Sequence, residues 1–189
     1  MIRGVEDRNI LDRFAEKFCE IVDKHVKYII VSGFVAISHG RSRATEDIDM
    51  IIERLSLGKF IILHENLVKG GFQCLQPGDG KKLYEEYLNQ DNSLRYVRKG
   101  SYAPPELELK FAKDEIDYLQ LATRKKLLLT GMGIWFSSIE MNIAFKEELL
   151  RSDKDMEDAR HLRNIYKDEI NEGSINDIKK MIRKYRMKK

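Results

Sequence analysis

The chain has 189 residues, 42% of them apolar and 34% charged, with a formal net charge of +3. That balance excludes a disordered chain and a membrane-embedded one, and the charge is too small by itself to argue for nucleic acid. The length suits one domain, or a domain with a helical extension, able to bury a real core.

No apolar run approaches the roughly 18 residues that span a bilayer. The start, "MIRGVEDRNILDRF", lacks the apolar centre of a signal peptide, so a cytoplasmic location without a membrane partner is expected. Cys19 and Cys74 are far apart in sequence and read as ordinary buried thiols, neither a disulfide nor half of a zinc site.

Ile10, Leu11, Phe14, Phe18, Ile21 and Val22 recur at helical spacing, which predicts an amphipathic helix over about residues 7–25. "YIIVS" (28–32) is a short apolar strand, and "FVAISHG" supplies a brief helix stopped at Gly40. "DIDMII" (47–52) is a second strand. A helix opened by Ser56 ends at the Gly70–Gly71 pair. "FQCLQ" predicts a third strand, and "DGKKLYEEYLNQ" a short helix or loop. "SLRYVRK" and "LELKFA" alternate with period two and read as strands, with Pro104 and Pro105 just ahead of the second.

From Lys113 onward the pattern turns helical. "TRKKLLLTGMGIWFSS" reads as a strand pair turned at Gly131–Gly133, with Trp135, Phe136 and the helically spaced methionines in the core. "SSIEMNIAFKEELL" has a serine cap with glutamate close behind, "SDKDMEDARHLRNIY" repeats that start, and a last helix covers about 174–186. Its basic end, "KKMIRKYRMKK", reads first as a solvated helix terminus and second as a polyanion contact. The expected architecture is α+β: a mixed sheet flanked by helices over 1–134, then a helical part over 135–189 packed on it.

The chemistry concentrates in "VSGFVAISHGRSRATEDIDMII". Residues two apart in a strand share a face, about 6.5–7 Å from each other. Asp47 and Asp49 therefore project together from an otherwise apolar strand. Two carboxylates that close repel, and burying either ionised is costly without a cation or donor. Mg²⁺ relieves both, because it takes one or two carboxylates together with phosphates and water. A bare D-x-D, however, reads more simply as a strand start paired with Arg41, Arg43 or Lys110. Upstream, Ser32-Gly33 closes one strand and opens a helix, where backbone N–H groups and a hydroxyl can meet a phosphate chain.

Ser32-Gly33, thirteen residues, then Asp47-Ile48-Asp49 resembles the signature of the nucleotidyltransferase superfamily, the DNA polymerase β-like fold. Serine replaces the first glycine of the usual pair. "GRSRATEDIDMII", with Lys154-Asp155 and Asp158 in "SDKDMEDARHL", is similar to small prokaryotic proteins of the abortive-infection type IV toxin group. The resemblance implies a nucleotidyltransferase-like mixed β-sheet flanked by helices and a third carboxylate on a neighbouring strand. Glu108 in "PELELKFA" is the expected residue and Glu106 the fallback; without the resemblance, the glutamates read as an edge strand with a Glu–Lys pair.

It further implies that Asp47, Asp49 and Glu108 bind two Mg²⁺ ions and that Glu108 can act as base. Ser32, Gly33, Arg41, Arg43 and Lys154 would contact the NTP. The expected reaction moves an NMP unit to a hydroxyl of RNA or protein, in a toxin-like protein with an antitoxin-like partner by analogy. The competing reading is a catalytically inactive member of the fold that binds nucleotide, RNA or a partner protein. A metal-dependent nuclease has no evident use for Ser-Gly before a helix. His39 and His161 read as helix-end contacts rather than ligands.

Overall fold

The computed structural model describes residues 8–42, 47–101 and 104–187. Helix α1, Ile10–Val22, starts where Asn9 accepts from the Asp12 amide and Asp12 accepts from the Asn9 amide, a reciprocal cap. Strand β1 (Tyr28–Val31) leads directly into the short helix α2 (Gly33–Ser38). Strand β2 (Asp47–Ile52), helix α3 (Leu57–Lys69), strand β3 (Phe72–Cys74) and helix α4 (Gly80–Glu86) follow. Strands β4 (Leu94–Arg98) and β5 (Glu106–Phe111) complete one five-stranded sheet in the order β1-β2-β5-β4-β3. Only β2 and β5 run parallel; the other neighbours are antiparallel.

The α+β architecture agrees with expectation. Alternation along β5 is strict: Leu107, Leu109 and Phe111 are buried, while Glu106, Glu108 and Lys110 are half-buried on the opposite face. The apolar face carries the main core, where Phe18 packs edge-on against Phe72 at 4.9 Å and Tyr96 at 5.4 Å. Helix α5 (Glu115–Ala122) brings Leu121 over Ile29 and Ile51 on the other face.

The segment between α5 and α6 corrects the expected strand pair. It contains a single 3₁₀ turn, Leu128–Thr130, closed by Gly131 at φ 68°. Thr130 explains the turn, since its hydroxyl donates to the Leu127 carbonyl and accepts from the Met132 amide. The expected pairing survives as one antiparallel bridge, in which Lys125 and Phe136 exchange both backbone hydrogen bonds at 2.9 Å. Residues 135–137 also lie against β1, with Ile30 N–H donating to the Trp135 carbonyl and Ser137 N–H to the Ile30 carbonyl. Phe136 is buried, but Trp135 is only partly buried, beneath the cations of Arg124 and Lys126. The methionines divide similarly: Met132 and Met141 are core, whereas Met156, Met181 and Met187 are exposed.

Helix α6 (Ile139–Phe145), capped by Ser138, runs into a π-helical turn at Lys146–Leu150. Helices α7 (Asp153–Ile165) and α8 (Glu172–Arg186) close the chain. The core is continuous across the expected boundary at 134, running from Phe14 and Phe34 through Phe136 to Ile143, Leu162 and Ile182. Among the described residues, no helix is long and apolar enough to cross a membrane.

Ion pairs hold the helical part in place. Buried Lys146 meets Asp158 at 2.8 Å and Asp155 at 3.4 Å, and Asp158 also pairs with Arg41 from the segment after α2. The basic end of α8 is engaged in part: Lys179 pairs with Glu147 and Arg183 with Glu148 at 2.7 Å. Burial alone would push the Glu147 carboxyl up, but the hydrogen bonds from Arg163 and Lys179 outweigh it and hold it low. Removing one partner of a buried pair leaves an uncompensated charge, at a cost of about 3–5 kcal/mol. Asp158→Ala is therefore expected to lower the unfolding free energy in urea by about that amount. A loss below about 1 kcal/mol would show that Asp155 alone satisfies Lys146.

Candidate active site

The parallel pairing of β2 with β5 sets Asp47 opposite Glu106 and Asp49 opposite Glu108. Neighbouring strands lie about 4.8 Å apart, so each aspartate has a glutamate at its side. The structure thus brings together all three expected carboxylates and the fallback. Asp47 is exposed at the strand start, while Asp49 is half-buried, and the polar face of β2 ends there because Ile51 turns into the α5 core.

Electrostatic crowding shows in the protonation behaviour. Burial, the largest influence, raises the Asp49 carboxyl above its ordinary value of 3.8. A hydrogen bond from Ser32 and the charge of Lys110 oppose the rise, and the Glu108 and Asp47 carboxylates add to it. Glu106 is also raised, first by burial and then by the neighbouring Asp47 carboxylate. Arg95 on β4 is the nearby counter-charge, 3.7 Å from Glu106 and 3.9 Å from Glu108, with half of its own side chain in solvent.

Ser32 and Gly33 sit at the junction of β1 and α2. Ser32 adopts φ 67° and ψ −140°, a conformation that glycine takes freely and other residues rarely adopt. The serine that replaces the usual glycine is therefore strained, and its hydroxyl is directed to Asp49.

The other expected contacts are distributed differently. Arg41 turns away from the aspartates to α7, where it meets Glu157, Asp158 and the Lys154 carbonyl. This corrects its expected place beside the aspartates; the buried Asp158 carboxylate is the stronger attractor. Arg43 lies outside the described residues. Lys154 is exposed, and its carbonyl accepts from Arg41. His39 is a helix-end contact: its Nδ1–H donates to the Val35 carbonyl at 2.6 Å and Nε2 accepts from the Tyr166 hydroxyl at 2.8 Å. Burial lowers its pKa, which suits this neutral ring. His161 bonds the His39 carbonyl.

A cavity of about 450 Å³ opens beside Asp49, between the sheet and α5, α6 and α8. Ser32, Asp49, Lys110 and Lys113 line its sheet side, and Lys146, Ile182 and Tyr185 its helical side. Lys146 is the residue that sequence reasoning missed. Its signal is one lysine inside the apolar stripe "MNIAFKEELL", followed at helical distance by Asp155 and Asp158.

No protein-family model matches the sequence, and no curated protein matches it. Solved structures do. ANT(2'')-Ia, an antibiotic-resistance factor, superposes with a TM-score of 0.52 at 12% identity, over 93% of this chain and 92% of that one. The fold is that of the nucleotidyltransferases. ANT(2'')-Ia in complex with adenylyl-2''-tobramycin gives a TM-score of 0.54 at 14% identity, covering 93% and 97%. An antigenic nucleotidyltransferase-like protein from Paracoccidioides brasiliensis gives 0.52 at 18%, covering 82% and 76%. Within that fold, Ser32 and Asp49 line one cavity, and Glu108 stands beside Asp49 in the sheet.

Two outcomes follow. Ser32→Gly releases the strained backbone and is expected to raise unfolding stability by about 1 kcal/mol after glycine's entropic cost. Ser32→Ala keeps the strain and brings no gain, so equal stability of the two variants would contradict the assignment. Asp49 has a folded-state value above the unfolded one, so its ionisation opposes folding. Without divalent ions the protein loses this contribution as pH rises from 3.8 through the raised value. Asp49→Asn should then be more stable than the parent at pH 7 in EDTA, with the gap closing toward pH 4, as thermal unfolding across that range would show.

Proposed function

We propose that the chain is a metal-dependent nucleotidyltransferase that moves an NMP unit from an NTP to a hydroxyl acceptor. The observation that carries this reading is the β2–β5 register, which sets two carboxylate pairs side by side, with Asp49 on a cavity also lined by Lys110, Lys113 and Lys146. Asp49 fits a resident Mg²⁺, because burial and two adjacent carboxylates disfavour its ionised form and a divalent cation reverses that preference. Among the described residues, no three His, Cys, Asp or Glu side chains form a ready cage. Mg²⁺ does not require one, since substrate oxygens and water complete its shell.

Asp47, Asp49 and Glu108 would hold one or two such ions, which when bound neutralise the polyphosphate and acidify the acceptor hydroxyl. Ser32 and Gly33 are the proposed phosphate contacts, with Ser32 also orienting Asp49. Glu108 takes the proton of the acceptor hydroxyl as its oxygen bonds to the α-phosphorus. The bond from that phosphorus to the bridging oxygen breaks, and pyrophosphate leaves toward Lys110 and Lys113. Positioning and charge neutralisation supply most of such catalysis, so few residues are needed. The complex of ANT(2'')-Ia with adenylyl-2''-tobramycin supports adenylyl transfer as chemistry of this fold. RNA or protein as acceptor, and a toxin-like role with an antitoxin-like partner, rest on the motif resemblance.

One observation favours a second reading, a nucleotide-binding protein without turnover: Arg95 already stands near both glutamates. Incubation with each labelled NTP and cell extract separates the two. Under the enzyme reading a macromolecule acquires label, pyrophosphate release requires Mg²⁺, and Asp47→Asn or Asp49→Asn lowers the rate on the order of 10²–10³-fold, the scale for removing one preorganised charge-stabilising group. Saturable NTP binding with no pyrophosphate release would support the binding protein instead.

A further inference from the structure

The nucleotidyl-transfer chemistry leaves two amide side chains on the cavity wall unused. Gln120 on α5 and Asn142 on α6 are only 4% and 5% exposed, and both line the cavity that holds Asp49. Both are anchored on the segment leading into α6. The Ser137 hydroxyl donates to Gln120 Oε1 at 2.9 Å, and Asn142 Nδ2 donates to the carbonyls of Ser137 at 3.0 Å and Ser138 at 2.9 Å. These bonds engage one amide's oxygen and the other's nitrogen. The remaining polar atoms are the Gln120 Nε2 donor and the Asn142 Oδ1 acceptor, which have no hydrogen-bond partner among the described residues.

The network fixes which way each amide points. Turning Asn142 over would set its oxygen against two carbonyl oxygens. Turning Gln120 over would leave the fully buried Ser137 hydroxyl without an acceptor. Neither free atom is among the fully buried unpaired ones, so both are accessible where their residues line the cavity, and a donor and an acceptor held open there point to a ligand that completes them.

We infer that Gln120 and Asn142 read the base edge of the nucleotide, an inference that rests on the nucleotidyltransferase reading. The hydrogen-bonding edge of a nucleobase sets a donor beside an acceptor in one plane. Adenine and cytosine present them in one order, guanine and uracil in the reverse, so a fixed donor–acceptor pair complements one order and opposes the other. A phosphate offers only acceptors, which the Asn142 oxygen repels. The adjoining wall is apolar, built from Ile116, Phe145, Leu149 and Ile182, and suits the flat faces of a base. Asp49, Lys110 and Lys113 line the same cavity, so one nucleotide can present its phosphates to them and its base to the amides.

Equilibrium binding of ATP, GTP, CTP and UTP to the full chain, with Ca²⁺ replacing Mg²⁺, tests this. One pair, ATP and CTP or GTP and UTP, is expected to bind tighter than the other by roughly 10–100-fold, the scale of a good bidentate base contact. Gln120→Met should erase that preference while affinity for inorganic tripolyphosphate stays unchanged. Gln120→Glu keeps an acceptor for Ser137 and places a second one toward the cavity, so it should re-rank the four bases even if the Met variant fails to fold. Equal binding of all four NTPs to the parent protein, or an equal loss for all four and tripolyphosphate in the folded variants, would overturn the inference. Mg²⁺-dependent pyrophosphate release without base preference would sink it while leaving nucleotidyl transfer standing; absence of both NTP binding and release would sink both.

Discussion

In the parallel pair of β2 and β5, side chains alternate with a period of two, and a slip of one residue would send the acids of one strand to the opposite face. The observed register places Asp47 beside Glu106 and Asp49 beside Glu108, with Leu107 and Leu109 in the core behind them. The same apolar burial that holds the two strands in register therefore holds four carboxylates together against their repulsion. Burial of an apolar side chain stabilises by about 1.5–3 kcal/mol. Several such residues on these strands outweigh the electrostatic penalty, and the strand pair can keep an acidic face that would not assemble by itself.

Around this pair the molecule uses charge to position and apolar surface to stabilise. A buried ion pair contributes little net stability compared with an apolar replacement, because desolvation offsets the attraction. What the Arg41–Asp158–Lys146 set supplies is placement. It ties the segment after α2 to α7 and to the π-helical turn, and thereby sets the helical wall of the cavity. The pairs of Glu147 and Glu148 with Arg163, Lys179 and Arg183 do the same for α8, whose Ile182 and Tyr185 close the cavity. The basic C-terminal helix, which by sequence could have met a polyanion, spends Lys179 and Arg183 on docking.

Ser32 shows the opposite balance. Its left-handed backbone costs on the order of 1–3 kcal/mol, and glycine would avoid it. The return is a hydroxyl on Asp49, opposing the rise that burial imposes on that carboxyl. Local strain at the junction of β1 and α2 is thus coupled to the charge state of the central aspartate.

The sequence by itself determined the strands, most helices, the Ser-Gly turn and the acidic face, because alternation, spacing and caps are local properties of the chain. It also marked Glu108 and Glu106 as candidates, since their alternation with leucines is visible in six residues. Only the tertiary structure decided that both glutamates stand beside the aspartates, because register between strands separated by more than fifty residues is set by packing. The same holds for Arg41, drawn to Asp158 across the fold, and for Lys146, whose place in an apolar stripe is visible in the sequence but whose partners and cavity are not. The segment 124–137 keeps only one bridge of the strand pair its sequence suggests, Lys125 with Phe136, because the Thr130 turn interrupts it and residues 135–137 also bond to β1. Local physics wrote the elements; long-range burial and charge chose their neighbours.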